Sequence, residues 1–232
     1  MMTYYYGDTN PSNYNDTINA GSGPNTIYGY SGDDDLFGNT DVDIIFGGNG
    51  SDLIGGGSGN DSLYGESGDD FIYGQWGNDL LSGGDGNDEL YGGNNNDTIY
   101  GNAGNDWLYE DPLNDSGKDV MAGGAGNDTM QAGAEDDTYI YTFNADGQDH
   151  IFDSQGDYDY LRINGVSNGS ALIFTTADAI GHSANNLLIC TKADAADGML
   201  SEFIEIHSFY NGGSYGVGRI EIIDVNGTNY YL

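Results

Sequence analysis

Between Asn15 and Gln131 the chain repeats one phrase every nine residues. Aspartates recur at Asp34, Asp43, Asp52, Asp61, Asp70, Asp79, Asp88, Asp97 and Asp106. Two residues after each stands a large apolar side chain: Leu36, Ile45, Ile54, Leu63, Ile72, Leu81, Leu90, Ile99 and Leu108. Most residues between are glycine, as in Gly83-Gly84-Asp85-Gly86-Asn87-Asp88. A period this strict calls for one small unit stacked many times, not for a globule with a single irregular core.

In the register G-G-x-G-x-D-x-U-x, with U the large aliphatic, six residues read as turn and three as strand. Glycine supplies the positive φ that a tight turn needs. A piece such as Thr98-Ile99-Tyr100 alternates about one inward residue, the period of a strand with one buried face. Two units then make one coil, so units i and i+2 share a side. Asp52 falls beside Asp34 and Asp70, and Asp61 beside Asp43 and Asp79. The expected fold class is all-β: a solenoid of two parallel sheets back to back, with the U column buried between them.

Stacked strands lie about 4.8 Å apart, so bare carboxylates in register repel. A hard cation between them would gain from both. Calcium takes 6–8 oxygens in a flexible geometry, magnesium demands a stricter octahedron, and zinc prefers nitrogen and sulfur. The expected ligands are Asp16, Asp34, Asp43, Asp52, Asp61, Asp70, Asp79, Asp88, Asp97, Asp106, Asp119, Asp128 and Asp137. Turn carbonyls such as those of Gly47, Gly50, Gly56, Gly59, Gly65, Gly68, Gly74, Gly77, Gly83 and Gly86 would complete the set. About ten calcium ions are expected, with oxygen ligands throughout.

Charge supports the same reading. The formal net charge is −34 on 232 residues, a self-repulsion that a compact chain cannot carry without counter-ions. It also argues against nucleic acid and anionic membranes as partners. Residues 1–140 hold 26 of the 38 acids and the single base Lys118, so the chain divides into two regions of different logic. Cys190 is the only cysteine, which excludes an internal disulfide and a cysteine metal site. No window reaches the roughly 18–20 apolar residues of a membrane span, and the Met1–Tyr6 start carries no Sec signal pattern.

The phrase resembles the RTX (repeats-in-toxin) calcium-binding nonapeptide of haemolysin-type proteins. Fourteen in-register units carry the resemblance, with U at Ile18, Ile27, Leu36, Ile45, Ile54, Leu63, Ile72, Leu81, Leu90, Ile99, Leu108, Met121, Met130 and Tyr139. It implies a calcium-bound, right-handed parallel β-roll (a two-sheet solenoid) exported unfolded through type I secretion machinery, hence an extracellular protein. Some units depart from the pattern. Asn25 replaces an aspartate and follows Pro24, which weakens the N-terminal sites. Asp41, Asn95 and Glu135 stand where the fourth-position glycine belongs. The turn from Glu110 to Gly117 has eight residues where four are usual, and is expected to loop out. Degenerate units follow around Asp149 and Asp159, so the roll runs to about Ile163.

Three parts are expected: an N-terminal segment over 1–14, the roll over 15–163, and a small antiparallel β capping domain over 164–232. Its strands are anticipated at Ala171–Thr175, Asn186–Thr191, Phe203–Phe209, Arg219–Val225 and Thr228–Leu232, the last two joined through Asn226-Gly227. The family resemblance places a secretion signal in this region.

The residue after U faces outward and is often aromatic. Tyr28, Phe46 and Tyr64 form a run on one sheet, and Tyr73, Tyr91 and Tyr109 on the other. Such a run either stabilises the ladder or offers a surface to a partner domain, a glycan or ice. A catalytic role finds little support. His150, His182 and His207 are scattered, no H-E-x-x-H occurs, and the G-x-S-x-G match at Gly212–Gly216 has a loop composition where a nucleophile elbow needs strand and helix. The leading expectation is a non-enzymatic calcium-folding module of a secreted protein, alone or behind an upstream domain. A calcium-rigidified adhesion module is the alternative.

Overall fold

The computed structural model describes residues 2–7, 15–110, 117–142, 147–152, 159–165, 172–176, 187–191, 203–207, 220–225 and 228–231. Among these residues there is no helix, and two eleven-stranded sheets carry the fold. Successive strands alternate between the sheets, so the chain winds as a two-sheet solenoid of about 8 turns.

Register follows the repeat. One sheet stacks Ile27, Ile45, Leu63, Leu81, Ile99, Met121, Tyr139 and Leu161 as parallel neighbours. The other stacks Ile18, Leu36, Ile54, Ile72, Leu90, Leu108, Met130 and Ile151. From Ile27 onward these U side chains are at most 1% exposed. Each fully buried aliphatic contributes roughly 1.5–3 kcal/mol, the apolar half of what holds such short strands together.

The repeat's strands are longer than three residues. A typical strand, Ser62–Ser67, runs through U and on past the first glycine. Continuing through the second position requires positive φ there. Gly48, Gly57 and Gly84 adopt it freely, and Tyr30, Asn39, Glu66, Gln75 and Asn102 adopt it at φ 75–81°. The fourth position also needs positive φ, and the substituents noted above, Asp41, Asn95 and Glu135, comply at φ 71–82°. These turns therefore keep their path without glycine, at a conformational cost that Asn and Asp bear best.

The sheets extend beyond the repeats at both ends. Thr3–Tyr6 pairs in parallel with the strand at Asn25–Ser31. At the other end Phe203–His207 pairs in parallel with Gln148–Phe152, and Ile220–Val225 with Asp159–Asn164. The strands at Leu172–Thr176 and Leu187–Thr191 add antiparallel to the first of these, and Thr228–Tyr231 to the second, with Val225 opposite Thr228.

Candidate metal centre

The glycine turns form two columns, one along each lateral edge of the roll. The first stacks Asp16, Asp34, Asp52, Asp70, Asp88, Asp106, Asp128 and Asp149. The second stacks Asn25, Asp43, Asp61, Asp79, Asp97, Asp119, Asp137 and Asp159. In both, the backbone N–H of each member donates to Oδ1 of the next, 2.7–3.0 Å away. From Asp34 onward every aspartate in the columns is at most 3% exposed.

One carboxylate oxygen is thus committed to the backbone. The other faces inward. Oδ2 of Asp34, Asp43, Asp52, Asp61, Asp70, Asp79, Asp88 and Asp106 is buried without a hydrogen-bond partner. It converges with a carbonyl from the first glycine of the neighbouring coil. A Cβ placed on Gly47 would lie 2.8 Å from Gly65 O and closer still to Asp52 Oδ2. Gly56 meets Asp61 Oδ2 in the same way, Gly65 meets Asp70, Gly74 meets Asp79, and Gly83 meets Asp88. The first glycine is therefore required for space: a methyl would fill the cradle in which these oxygens meet. The fourth-position glycines Gly50, Gly59, Gly68, Gly77 and Gly86 have positive φ, 129–150°, and each lies close against a backbone carbonyl of the preceding turn, where a Cβ would not fit.

A second ladder runs outside the first with opposite polarity. Ser51 N donates to Asp33 Oδ1 at 3.0 Å, Asn78 N to Asn60 Oδ1 at 3.0 Å, and Asn87 N to Asp69 Oδ1 at 2.7 Å. Each turn is consequently clamped to both neighbours. Lys118 stands in this outer ladder and pairs with Asp136, its side chain 59% exposed, so it neutralises none of the buried oxygens.

Burial is the dominant reason these carboxyls resist ionisation. It pushes Asp52 and Asp79 up to about 6, Asp61, Asp88 and Asp106 to about 7, and Asp70 to about 8. The donated backbone N–H pulls each one down, and neighbouring carboxylates push most of them up again. A column of buried acids with inward oxygens and adjacent carbonyls is what an oxygen-seeking hard ion would complete. The donor set fits calcium and lacks the nitrogen and sulfur zinc favours.

All thirteen aspartates expected as ligands stand in the columns. Two more join them, Asp149 and Asp159, whose units are too degenerate to match the phrase fully but keep its D-x-U core. A third addition is Glu110. It was expected to open a looped-out insertion, yet it is 2% exposed and turned into the second column. One carboxylate oxygen each from Asp97, Glu110 and Asp119 lie within 4.8 Å of one another. Residues 111–116 of the insertion lie outside the described residues, as do His182 and the Gly212–Gly216 phrase.

The outward aromatics stack on themselves. Tyr6, Tyr28, Phe46 and Tyr64 form a continuous pile with centroids 5.0–5.6 Å apart and planes within 10°. Tyr73, Tyr91 and Tyr109 form a second, at 5.0 and 5.3 Å. Ring faces inside a pile meet other rings, which leaves mainly edges and hydroxyls outward.

Compared with known proteins, four copies of the RTX calcium-binding nonapeptide repeat match this chain, at residues 12–45, 46–81, 73–108 and 114–146. No curated protein matches it. Among solved structures it is similar to the extracellular lipase LipA from Serratia marcescens, at 16% identity and a TM-score of 0.32. That alignment covers 82% of this chain, which spans 38% of the lipase's length.

Proposed function

Because the chain belongs to the RTX calcium-binding nonapeptide repeat family, we propose that its two oxygen columns hold calcium and that the roll forms only when calcium is supplied. The single observation that carries this is the recurrence of a buried Oδ2 without a hydrogen-bond partner at Asp34, Asp43, Asp52, Asp61, Asp70, Asp79, Asp88 and Asp106. A carboxylate shielded from water and unbonded costs far more than it returns unless a positive charge joins it. The aspartates, with the carbonyls of glycines such as Gly65 and Gly83, would hold the ion. When bound, it supplies the charge that those residues lack.

Everything else in the coil serves that exchange. Oδ1 fixes the aspartate rotamer through the neighbouring backbone N–H. The first glycine leaves room for the ion, and the U column buries the apolar face once the turns are set. Without calcium the columns repel, and the chain stays open enough to pass a secretion channel. Outside the cell, at higher calcium, it closes. We read the module accordingly as the calcium-triggered folding and stability element of a type I-secreted protein, with the strands after Asn164 as its cap. The carboxylates repeat along the whole roll, which suits ligation better than a single catalytic centre, so the module itself is assigned no reaction. The self-stacked rings favour a stabilising role for the aromatic piles over a flat platform for sugar.

Equilibrium dialysis against calcium tests the assignment. Uptake of several ions per chain is expected, lost in step with substitutions of Asp52, Asp61 and Asp70 to asparagine. Uptake unaffected by those substitutions would remove the columns as the site.

A further inference from the structure

The ordinary rung of the second column contributes one carboxylate and one glycine carbonyl, but the rung at Glu110 departs from this. By register Tyr109 sits opposite Tyr91, so Glu110 takes the place that Gly92 holds one coil earlier. Its Oε2 accepts the N–H of Gly93 at 2.7 Å, which turns the side chain inward. Its Oε1 lies with Asp97 Oδ2 about the point where a Cβ of Gly92 would stand. In the cradles of Gly47, Gly65, Gly74, Gly83 and Gly101 that place belongs to a neutral carbonyl.

The insertion does not break the column. Asp97 N still donates to Asp119 Oδ1 at 2.7 Å, although 22 residues separate them instead of 18. The Gly92 peptide also looks the other way along the column. Its carbonyl converges with Oδ2 of Asp79 about Gly74, and that oxygen is buried without a hydrogen-bond partner. Glu110 therefore adds a full negative charge between two successive aspartates, in a column whose neighbouring cradle already presents an uncompensated oxygen.

We propose that Asp97, Glu110 and Asp119 form a distinct hard-cation site that binds calcium more tightly than the other rungs. This rests on the calcium reading of the columns and adds to it a specific residue and an order of filling. Three carboxylates attract a divalent ion more strongly than two carboxylates and a carbonyl, and ligand charge count is a main determinant of calcium affinity. The site would fill first and pin the coil where the insertion interrupts it.

Competition between the intact protein and a chromophoric calcium chelator provides the test, with E110Q and E110G beside the wild type. E110Q keeps an oxygen to accept the Gly93 N–H and removes only the charge, which separates ligation from a structural role. The expected result is one site in the wild type at least tenfold tighter than the remainder. It should disappear in both variants while the remaining sites shift by less than twofold. A tight class that survives in E110Q, or is missing from a wild type whose other sites fill, overturns the proposal and leaves calcium binding by the columns intact. No uptake by any variant overturns the calcium reading itself, and this proposal with it.

Discussion

Asp70 gives one carboxylate oxygen, Oδ1, to the backbone N–H of Asp52 at 2.8 Å and keeps the other, Oδ2, buried beside Gly65 without a hydrogen-bond partner. That division lets two substitutions separate the residue's two tasks. Asp70→Asn retains an oxygen for the Asp52 N–H and removes the charge; Asp70→Ala removes both. In calcium, where the roll is formed, the alanine variant should be the less stable of the two by about 1–3 kcal/mol, the cost of leaving a buried donor unsatisfied. With calcium, both should bind fewer ions than the wild type. Asp16→Ala, at the half-buried start of its column, should do far less. Urea unfolding in calcium reads the stabilities, and equilibrium dialysis the ions bound.

Acidity should act in opposite directions with and without calcium. Asp52, Asp61, Asp70, Asp79, Asp88 and Asp106 titrate at about 6 to 8 in the roll against 3.8 for the unperturbed group. Folded chains therefore bind more protons than unfolded ones across that interval, and stability falls as pH rises through it. In chelator the balance between coil and roll should therefore lie closer to the roll at pH 5 than at pH 8. With calcium present, protons compete for the same oxygens, so the calcium needed for folding should rise as pH falls. Circular dichroism of the chelated chain at the two pH values decides the first point and calcium titrations the second. A chelated chain with no more β structure at pH 5 than at pH 8 would contradict the burial of these carboxyls.

A first-position and a second-position glycine should differ in tolerance. Gly65→Ala puts a methyl against Asp70 Oδ2 and 2.6 Å from Gly83 O, filling a cradle and costing about 1–3 kcal/mol through overpacking. At Gly84, with φ 127°, a Cβ would lie 2.0 Å from Glu66 O, so Gly84→Asn requires φ to relax to the 78° and 80° that Asn39 and Asn102 hold at the same position; with that relaxation its cost should stay below that of Gly65→Ala. Calcium stoichiometry should drop for the first variant and hold for the second.

The nine-residue period made the U core, the two-sheet winding and both aspartate columns legible in the sequence, because stacking at constant register maps sequence spacing directly onto space. What escaped reading depended on side-chain direction. That each Asp Oδ1 serves a backbone N–H does not follow from spacing. Nor does the reach of Glu110 into the column, because the insertion there disguises its position opposite Gly92. The parallel pairing of Ile151 with Ile206 was also hidden, since it joins segments about fifty residues apart with no shared phrase.

Phe46 stacks between Tyr28 and Tyr64 at 5.1 and 5.0 Å. Phe46→Ala removes both contacts, each worth about 0.5–1.5 kcal/mol. The calcium midpoint for folding should rise while the number of ions bound stays the same. A fall in stoichiometry would mean the pile shapes the turns, contrary to a purely stabilising role.

The strands that close each sheet after Asn164 should matter more to folding than the first coils. Coils of a stacked array add by nearest-neighbour contact to whatever part has formed, and the ends need caps; the strands after Asn164 carry few acids and can hold structure with few ions. Deleting residues 164–232 should raise the calcium midpoint and flatten the transition more than deleting residues 1–32. Equal effects would remove the C-terminal region as the starting point.

The coupling of folding to calcium is tested most directly by far-ultraviolet circular dichroism of the intact chain, first in excess chelator and then with millimolar calcium. The account predicts a coil-like spectrum that converts to β on calcium addition and reverts on chelation. A well-ordered β spectrum of the same strength in chelator would contradict it.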